Sequence, residues 1–479
     1  MLSSVARRAA GDFGDRAAFV EQDGHRISYC ELDRAADVVA TGLVRHDVTK
    51  SSVVALVMGS TIDYVVTYLA AARVGAVSAG INPRFTASES AACLSLLNPD
   101  LIVTAELATE LRHSESSEPL AFDPSTTADP DQPVCICFTS GSTGSPKGAW
   151  FTNRQLEAIA QLDTGGAWGD GGHGLSSTQF AHVGFMTKLP WMLASGRTTH
   201  LLERWSSSKV LTLIAEHRMG AVTGVAPQIA LMLRDPLIAQ LDFESVRAIV
   251  VGGAASPPAL VTEARERFGA PYSIRYSSTE SGGIGLGTGL DATDDEALFT
   301  IGRPRPGVEV QIRDTQLRPL AESDQSVGEL WLRSPAVMSG YWNDDAATAE
   351  ALVDGWLRTG DLARRDPTGT VRLAGRVKEM FIRGGYNVYP MEVEATLGQH
   401  TSVQEIAIVA RPDPVMGEIG VATVVPADPG DPPTLEDLRR FGAETLAHYK
   451  LPEAIRIVDE LPRNASDKVD RRALAIGDH

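Results

Sequence analysis

Apolar positions in the first 110 residues alternate between two periods. From Tyr29 to Arg45 they recur at helical spacing. Ser52–Met58 and Gly75–Ile81 are short continuous runs of strand length, with a helix expected through Tyr64–Val74 between them. This βαβ rhythm predicts a parallel sheet covered by helices, and further βα units follow to about residue 255. Ser114–Gln132 is polar, carries Pro119, Pro124 and Pro130, and reads as a surface loop. From Ile301 to Val371 the character changes. Short β-like runs at Val308–Ile312, Gly328–Arg333 and Thr370–Leu373 are separated by Asp366-Pro367 and Gly369, which predicts a more β-rich subdomain. Toward the end, strand-like Glu405–Ala410 and Ala422–Val425 precede a helix capped near Thr434 and a strand at Ala454–Val458. The expected class is α/β, with sheets flanked by helices and a small α+β domain at the C-terminus.

Composition narrows this picture. A chain of 479 residues is too long for one compact core and predicts two or three units. With 43% hydrophobic and 22% charged residues, wholesale disorder and a fibrous fold are excluded. The longest apolar run, Tyr64–Val77, is broken by Arg73 and is too short to span a bilayer. The first eight residues lack the long apolar core of a secretory signal, so a cytoplasmic location is expected. Lys and Arg total 43 against 61 Asp and Glu, a formal charge of -18. Such a chain is not suited to nucleic acid or an anionic membrane, and it suits anionic small substrates only where cations are gathered locally. Lysine is scarce: Lys50, Lys147, Lys188, Lys209, Lys378, Lys450 and Lys468. The cysteines Cys30, Cys93, Cys135 and Cys137 form no C-x-x-C pair. Cys135 and Cys137, at strand spacing, read as buried structural thiols.

The densest chemistry lies after the strand-like run Val134–Phe138. Thr139-Ser140-Gly141-Ser142-Thr143-Gly144-Ser145-Pro146-Lys147-Gly148 carries three Gly, five hydroxyls and one Lys. Glycine lets backbone N–H groups turn inward around an anion, hydroxyls add donors, and Lys neutralises charge. Lys147 is followed by Gly148 and not by Ser or Thr, which argues against a Walker A loop. A flexible Ser/Gly linker has a similar composition, but the preceding strand and the single Lys favour phosphate binding.

The loop resembles the Ser/Thr/Gly-rich signature, ending in Lys, of the adenylate-forming superfamily, which holds acyl- and aryl-CoA synthetases, peptide-synthetase adenylation domains and firefly luciferase. The resemblance covers nearly the whole chain. Tyr29-Cys30-Glu31-Leu32, Gly75-Ala76-Val77 and Asn82-Pro83-Arg84 look like its N-terminal blocks. By resemblance, Thr139, Ser140, Gly141, Ser142 and Gly144 bind nucleotide, and Thr143 and Lys147 serve catalysis. Gly253 and Ala254 form one adenine wall. Tyr276-Ser277-Ser278-Thr279-Glu280 is similar to the Tyr-Gly-x-Thr-Glu block: Tyr276 packs on adenine, Ser277 and Ser278 border the nucleotide, Thr279 contacts phosphate and Glu280 holds Mg²⁺. Ser277 stands where Gly is usual. Asp361, in Gly355-Trp356-Leu357-Arg358-Thr359-Gly360-Asp361, would accept the ribose hydroxyls, and Arg376 would contact the nucleotide. Lys378 is the implied hinge. It divides an N-terminal adenylation domain, 1–377, from a small mobile domain, 378–479. Lys468, in Pro462-Arg463-Asn464-Ala465-Ser466-Asp467-Lys468, matches the catalytic lysine, with Asp467 in place of the usual Gly. Gly384, Gly385 and Tyr386 would line a tunnel for CoA.

Phe180-Ala181-His182-Val183-Gly184-Phe185 looks like the acyl-pocket block. His182, Val183, Phe185, Val225 and Ile284 are the pocket residues it implies. They are mostly apolar, so a hydrophobic acyl or aryl acid is expected and an amino acid is not. The implied reaction uses ATP and Mg²⁺ to make acyl-AMP and then transfers the acyl group to CoA. Two alternatives stay open: transfer to a pantetheinyl carrier protein or another nucleophile, and a catalytically silent nucleotide-binding homologue. A monomer or homodimer is expected.

Overall fold

The computed structural model describes residues 2–113, 120, 122, 129–139, 146–169, 171–176, 178–253, 256–463 and 468–476. Two compact units emerge. One comprises Met1–Glu309 and Leu332–Leu357; the other comprises Val310–Trp331 and Arg358–His479.

The first unit is built on a six-stranded sheet in the order Gly340–Tyr341, Lys147–Thr152, Pro133–Thr139, Val77–Gly80, Val53–Val57, Leu101–Thr104. The last four strands are parallel, as the βαβ rhythm predicts, whereas Lys147–Thr152 returns antiparallel on Pro133–Thr139. Cys135 and Cys137 are fully buried in this sheet. The helix Ile62–Val74 starts at Thr61, whose side chain accepts from the Tyr64 N–H. It stops at Gly75, which adopts φ 85°. The helix is buried on nearly every side, which explains its almost unbroken apolar sequence. The strand Val77–Gly80 ends in glycine because the chain at Ala181 crosses it: a Cβ on Gly80 would lie 2.6 Å from Ala181 Cα.

A second sheet sets Ala221–Gly224, Ala248–Gly252 and Tyr272–Tyr276 side by side in parallel, then adds Leu286–Gly287 and Arg303–Pro304 antiparallel. A third, smaller sheet runs Arg26–Ser28, Ala17–Val20, Thr198–Leu201, His173–Ser176. The helix expected over Tyr29–Arg45 forms with those ends, closed at its start by a reciprocal Ser28–Glu31 capping box.

In the second unit, strand Val371–Arg376 pairs antiparallel with the segment Asp361–Arg365. A further sheet orders Tyr386–Val388, Phe381–Arg383, Gly417–Pro426 and Val403–Asp413, with Ala454–Ile457 parallel on Gly417–Pro426. The helices Pro390–Leu397 and Leu435–Gly442 contribute to its apolar core, the second starting at Thr434 as expected. Among the described residues, no helix is long and apolar enough to cross a membrane.

Arg73, which interrupts the long apolar run, is fully buried and clamps the helix Tyr29–Arg45. It bonds the Asp33 carboxylate, the Asp33 carbonyl at 2.6 Å and Asp37 at 2.5 Å, while Arg7 joins both carboxylates from outside at 2.8 and 2.9 Å. Removing a buried cation strands its partners and costs about 3–5 kcal/mol. Arg73→Met should therefore lower the urea unfolding free energy by about 3 kcal/mol. A loss below about 1 kcal/mol would mean that Arg7 alone suffices for both carboxylates.

Candidate active site

Three adjacent parallel strands deliver three of the expected residues to one edge. Val225 follows Ala221–Gly224, Gly253 follows Ala248–Gly252, and Tyr276 ends Tyr272–Tyr276. Carboxyl ends of parallel strands are where open α/β sheets hold ligands. Gly253 has φ 82°, and a Cβ there would sit 3.5 Å from Val225 Cγ1, so these two walls adjoin. Beyond Tyr276 the chain folds tightly on itself. Ser278 and Ser281 exchange hydrogen bonds, the Gly282 N–H donates to the Thr279 carbonyl at 3.0 Å, and the Gly283 N–H donates to the Ser278 carbonyl at 3.2 Å. This turn holds Ser277, Ser278, Thr279 and Glu280 half-buried at the strand's end.

Thr139 and Lys147 pair directly across two antiparallel strands, the expected phosphate loop being the segment of sequence between them. Ser140, Gly141, Ser142, Thr143 and Gly144 lie outside the described residues, as does Ala254. Lys147 Nζ stands 4.9 Å from the centroid of the Tyr341 ring, and the Tyr341 hydroxyl donates to Glu280 Oε1 at 2.9 Å. Burial, reinforced by the Glu280 charge, pushes the Tyr341 hydroxyl well above its ordinary pKa, so it stays a donor. The sequence motifs gave no sign of Tyr341. It sits in a strap, Met338–Trp342, whose N–H groups bond the Glu280 carbonyl (Met338, 2.8 Å), the Trp150 carbonyl (Ser339, 2.9 Å) and the Gly148 carbonyl (Trp342, 2.7 Å).

At the acyl end, Val183 and His182 are half-buried, and Ile284 is buried. Phe185 is fully buried, stacked on Phe180 at 3.5 Å between centroids with Tyr64 edge-on to both. His182 Nε2 lies 2.9 Å from Asn82 Nδ2. Asn82 Oδ1 accepts the Arg84 N–H at 2.9 Å, which turns the Asn82 amide nitrogen toward His182. His182 Nε2 is then the acceptor, which in a neutral ring puts the proton on Nδ1. Thr187 ties this segment to the glycine turn, donating to Val183 O at 2.7 Å and Gly282 O at 3.3 Å. Lys188, one of the scarce lysines, lies outside every sequence motif and braces the same turn. Its Nζ bonds Asp163 at 2.7 Å and the Gly283 carbonyl at 3.3 Å, and Arg305 holds the other Asp163 oxygen at 3.2 Å. Burial pushes the Lys188 pKa down while Asp163 opposes that shift.

In the second unit, Asp361 and Arg376 face each other across the antiparallel pair, Arg376 Nε 2.9 Å from Asp361 Oδ1. Lys378 is exposed, in the turn after that strand. Gly384 and Gly385 form the two-residue loop of the hairpin joining Phe381–Arg383 to Tyr386–Val388, with φ 55° and 86°. That geometry by itself favours Gly-Gly. Tyr386 is exposed and stacks on Tyr449 at 4.6 Å. Lys468 is exposed, beside an isolated bridge between Arg463 and Val469, while Asp467 lies outside the described residues. Arg471, three residues on, anchors the chain beyond Lys468. It bonds both Glu394 oxygens at 2.7 and 2.8 Å, the Ile408 carbonyl at 2.8 Å and Glu379 at 3.2 Å.

Comparison with known proteins places this arrangement. Residues 6–342 match the AMP-binding enzyme family, and residues 392–468 match the AMP-binding enzyme C-terminal domain. The chain therefore belongs to the AMP-binding enzyme family, the adenylate-forming superfamily. The indoleacetate–CoA ligase of Aromatoleum aromaticum is 30% identical over 94% of this chain and 92% of its own. An o-succinylbenzoate CoA synthetase from Bacillus subtilis, solved with its acyl-adenylate intermediate, superposes with a TM-score of 0.86. It is 26% identical, covering 98% of this chain and 97% of its own. The amide bond synthetase McbA from Marinactinospora thermotolerans gives a TM-score of 0.86 at 27% identity, over 99% of both chains.

The Asn82–His182 contact makes a direct prediction. In Asn82→Asp, the carboxylate at position 82 can only accept, so the His182 proton should move to Nε2, read from the imidazole ¹⁵N shifts. Persistence of the Nδ1–H form would show that residue 82 does not set the tautomer.

Proposed function

We propose that this protein is an AMP-forming acid–thiol ligase that activates a hydrophobic carboxylic acid and passes it to CoA. A carboxylate oxygen attacks the α-phosphorus of ATP, the bond from that phosphorus to the bridging oxygen breaks, and pyrophosphate leaves. Two anions must meet, so the protein's work is positioning and charge neutralisation. Lys147 and the hydroxyls of Thr139–Gly144, Thr143 among them, hold the departing pyrophosphate. Tyr276 and Gly253, with Ala254, flank adenine, Ser277 and Ser278 border it, and Thr279 contacts phosphate. Asp361 accepts the ribose hydroxyls and Arg376, already paired with it, contacts the nucleotide. Lys468 draws the carboxylate and α-phosphate together. His182, Val183, Val225 and Ile284 line the acyl pocket, with Phe185 packed behind them.

The Lys147–Tyr341–Glu280 chain carries this reading: one phenol positions a cation and a carboxylate for the two partners that a leaving pyrophosphate needs. Glu280 offers a hard oxygen suited to Mg²⁺, since only Oε1 is engaged by Tyr341 among the described residues. When bound there, the ion would neutralise pyrophosphate charge. In the second half-reaction the segment beyond Lys378 swings about that residue and withdraws Lys468. A thiolate then attacks the acyl carbon and expels AMP. The side-chain-free hairpin tip Gly384-Gly385, with Tyr386, borders the pantetheine arm.

A second reading keeps the adenylation and changes the acceptor to a carrier-protein thiol or an amine. The close superposition on an amide bond synthetase favours keeping it in view. A pyrophosphate-release screen over fatty, aryl and dicarboxylic acids, with and without CoA, tests both. No exchange of ATP with pyrophosphate for any acid would sink adenylation altogether. Exchange without CoA-dependent AMP release would sink only the CoA reading. Lys468→Ala should cripple acyl-AMP formation while supplied acyl-AMP still reacts with CoA, and equal loss in both halves would contradict its role. Tyr341→Phe removes a hydrogen bond to a charged group and should slow adenylation about 10- to 100-fold. The deficit should shrink as Mg²⁺ is raised, whereas a purely structural defect would not respond to the ion.

A further inference from the structure

Three imidazoles from three separate elements converge in the first unit, and none has a part in adenylation. His173 opens the strand His173–Ser176, His200 lies in the parallel neighbour Thr198–Leu201, and His217 follows the last turn of helix Ser207–Glu216. The register sets Leu175 beside His200, so His173, two residues earlier, projects from the same face. His173 Nδ1 lies 3.0 Å from His200 Nε2. The His217 ring stacks on both, 4.5 Å from His173 and 4.3 Å from His200. One ligand nitrogen from each residue lies within 4.8 Å of the others. His200 is buried, His217 half-buried and His173 exposed, so the cluster opens to solvent on one side.

We propose that His173, His200 and His217 form a binding site for a late first-row divalent cation, with Zn²⁺ as the first choice. Two nitrogens each about 2.0–2.1 Å from a tetrahedral ion stand roughly 3.3 Å apart, close to the separation of the His173 and His200 nitrogens. The His217 nitrogen lies within 4.8 Å of the other two. Imidazoles alone suit Zn²⁺, Cu²⁺ or Ni²⁺ and not Mg²⁺ or Ca²⁺, which want oxygen. Three protein ligands leave a fourth position for water. The surroundings of His173 and His200 also favour the neutral ring. Burial, followed by the neighbouring His217 and His173 and then Arg197 and Lys209, pushes His200 down to about 4, and burial with His217 lowers His173. Neutral imidazole is the form that coordinates. The cations Arg197 and Lys209 oppose a bound dication at the same time, which argues for moderate affinity. Without an ion, the same geometry is an N–H···N bond between His173 and His200 under a ring stack.

The test uses the tag-free full chain, stripped with chelator and titrated with ZnCl₂ in excess Mg²⁺, so that hard-oxygen sites are occupied. One Zn²⁺ per chain should bind and raise the melting temperature. His173→Gln and, separately, His217→Gln should each weaken Zn²⁺ at least about 100-fold, more than loss of an outer-shell partner does. Both should abolish the thermal shift while leaving the metal-free melting temperature and the acid-dependent pyrophosphate exchange unchanged. Failure of the wild-type chain to bind micromolar Zn²⁺ overturns the site. Equal Zn²⁺ binding in wild type and both variants overturns it too, because the ion is then held elsewhere. His173 is exposed, so its variant tests the site even if His217→Gln fails to fold.

Discussion

The hydrogen bond from Tyr341 to Glu280 fastens the first unit's chemistry together. Glu280 hangs from a glycine-rich turn at the end of one sheet, and Lys147 starts a strand of another. Left to themselves, those two sheets would place the carboxylate and the ammonium independently. The strap Met338–Trp342 removes that freedom, because its backbone bonds both the Lys147–Thr152 strand and Glu280. The phenol then lies between the two charges, its ring toward Lys147 and its hydroxyl on Glu280. Among the described residues Tyr341 engages only Oε1, so in the proposed function the other oxygen is offered, already aimed, to a cation.

What could be read from the chain depended on whether its cause was local. The helix Tyr29–Arg45 was legible because its apolar positions recur at helical spacing within the segment itself, and the Ser28–Glu31 box that starts it is equally local. The parallel strands were legible because burial on both faces demands continuous apolar runs. The antiparallel return at Lys147 was not, since nothing within ten residues distinguishes a hairpin from a strand that feeds a helix. The contacts made by Tyr341, Asn82 and Arg471 escaped for a related reason, although Asn82 stood in a recognised block. Each acts through a partner 61 to 100 residues away, so periodicity carries no trace of it. The Gly384-Gly385 pair shows the reverse case. A local turn with positive φ at both positions fully accounts for two glycines, whatever else passes near them.

The acidic balance becomes intelligible once the carboxylate-bound cations are traced. Arg73 sits between Asp33 and Asp37, Arg471 forks onto Glu394, and Arg305 shares Asp163 with Lys188. Guanidinium groups take most of these structural posts because their planar donors reach several acceptors at once. Each such cation is fixed by carboxylates and is of little use to an incoming anion.

Lys147 is placed differently. A lysine meant for phosphate gains little from a carboxylate partner, because that ion pair must break before the ligand can bind. A bare ammonium, however, samples many rotamers and loses that entropy on binding. The Tyr341 ring face at 4.9 Å answers both difficulties. It orients the ammonium through the ring quadrupole, an attraction of only about 0.5–1 kcal/mol at a half-exposed site. That is enough to narrow the rotamers and too little to compete with a polyphosphate. The same ring leaves the Lys147 charge whole, so in the proposed function its field still reaches the anion. An acidic protein can in this way present a positive point to ATP without a surface patch of positive charge.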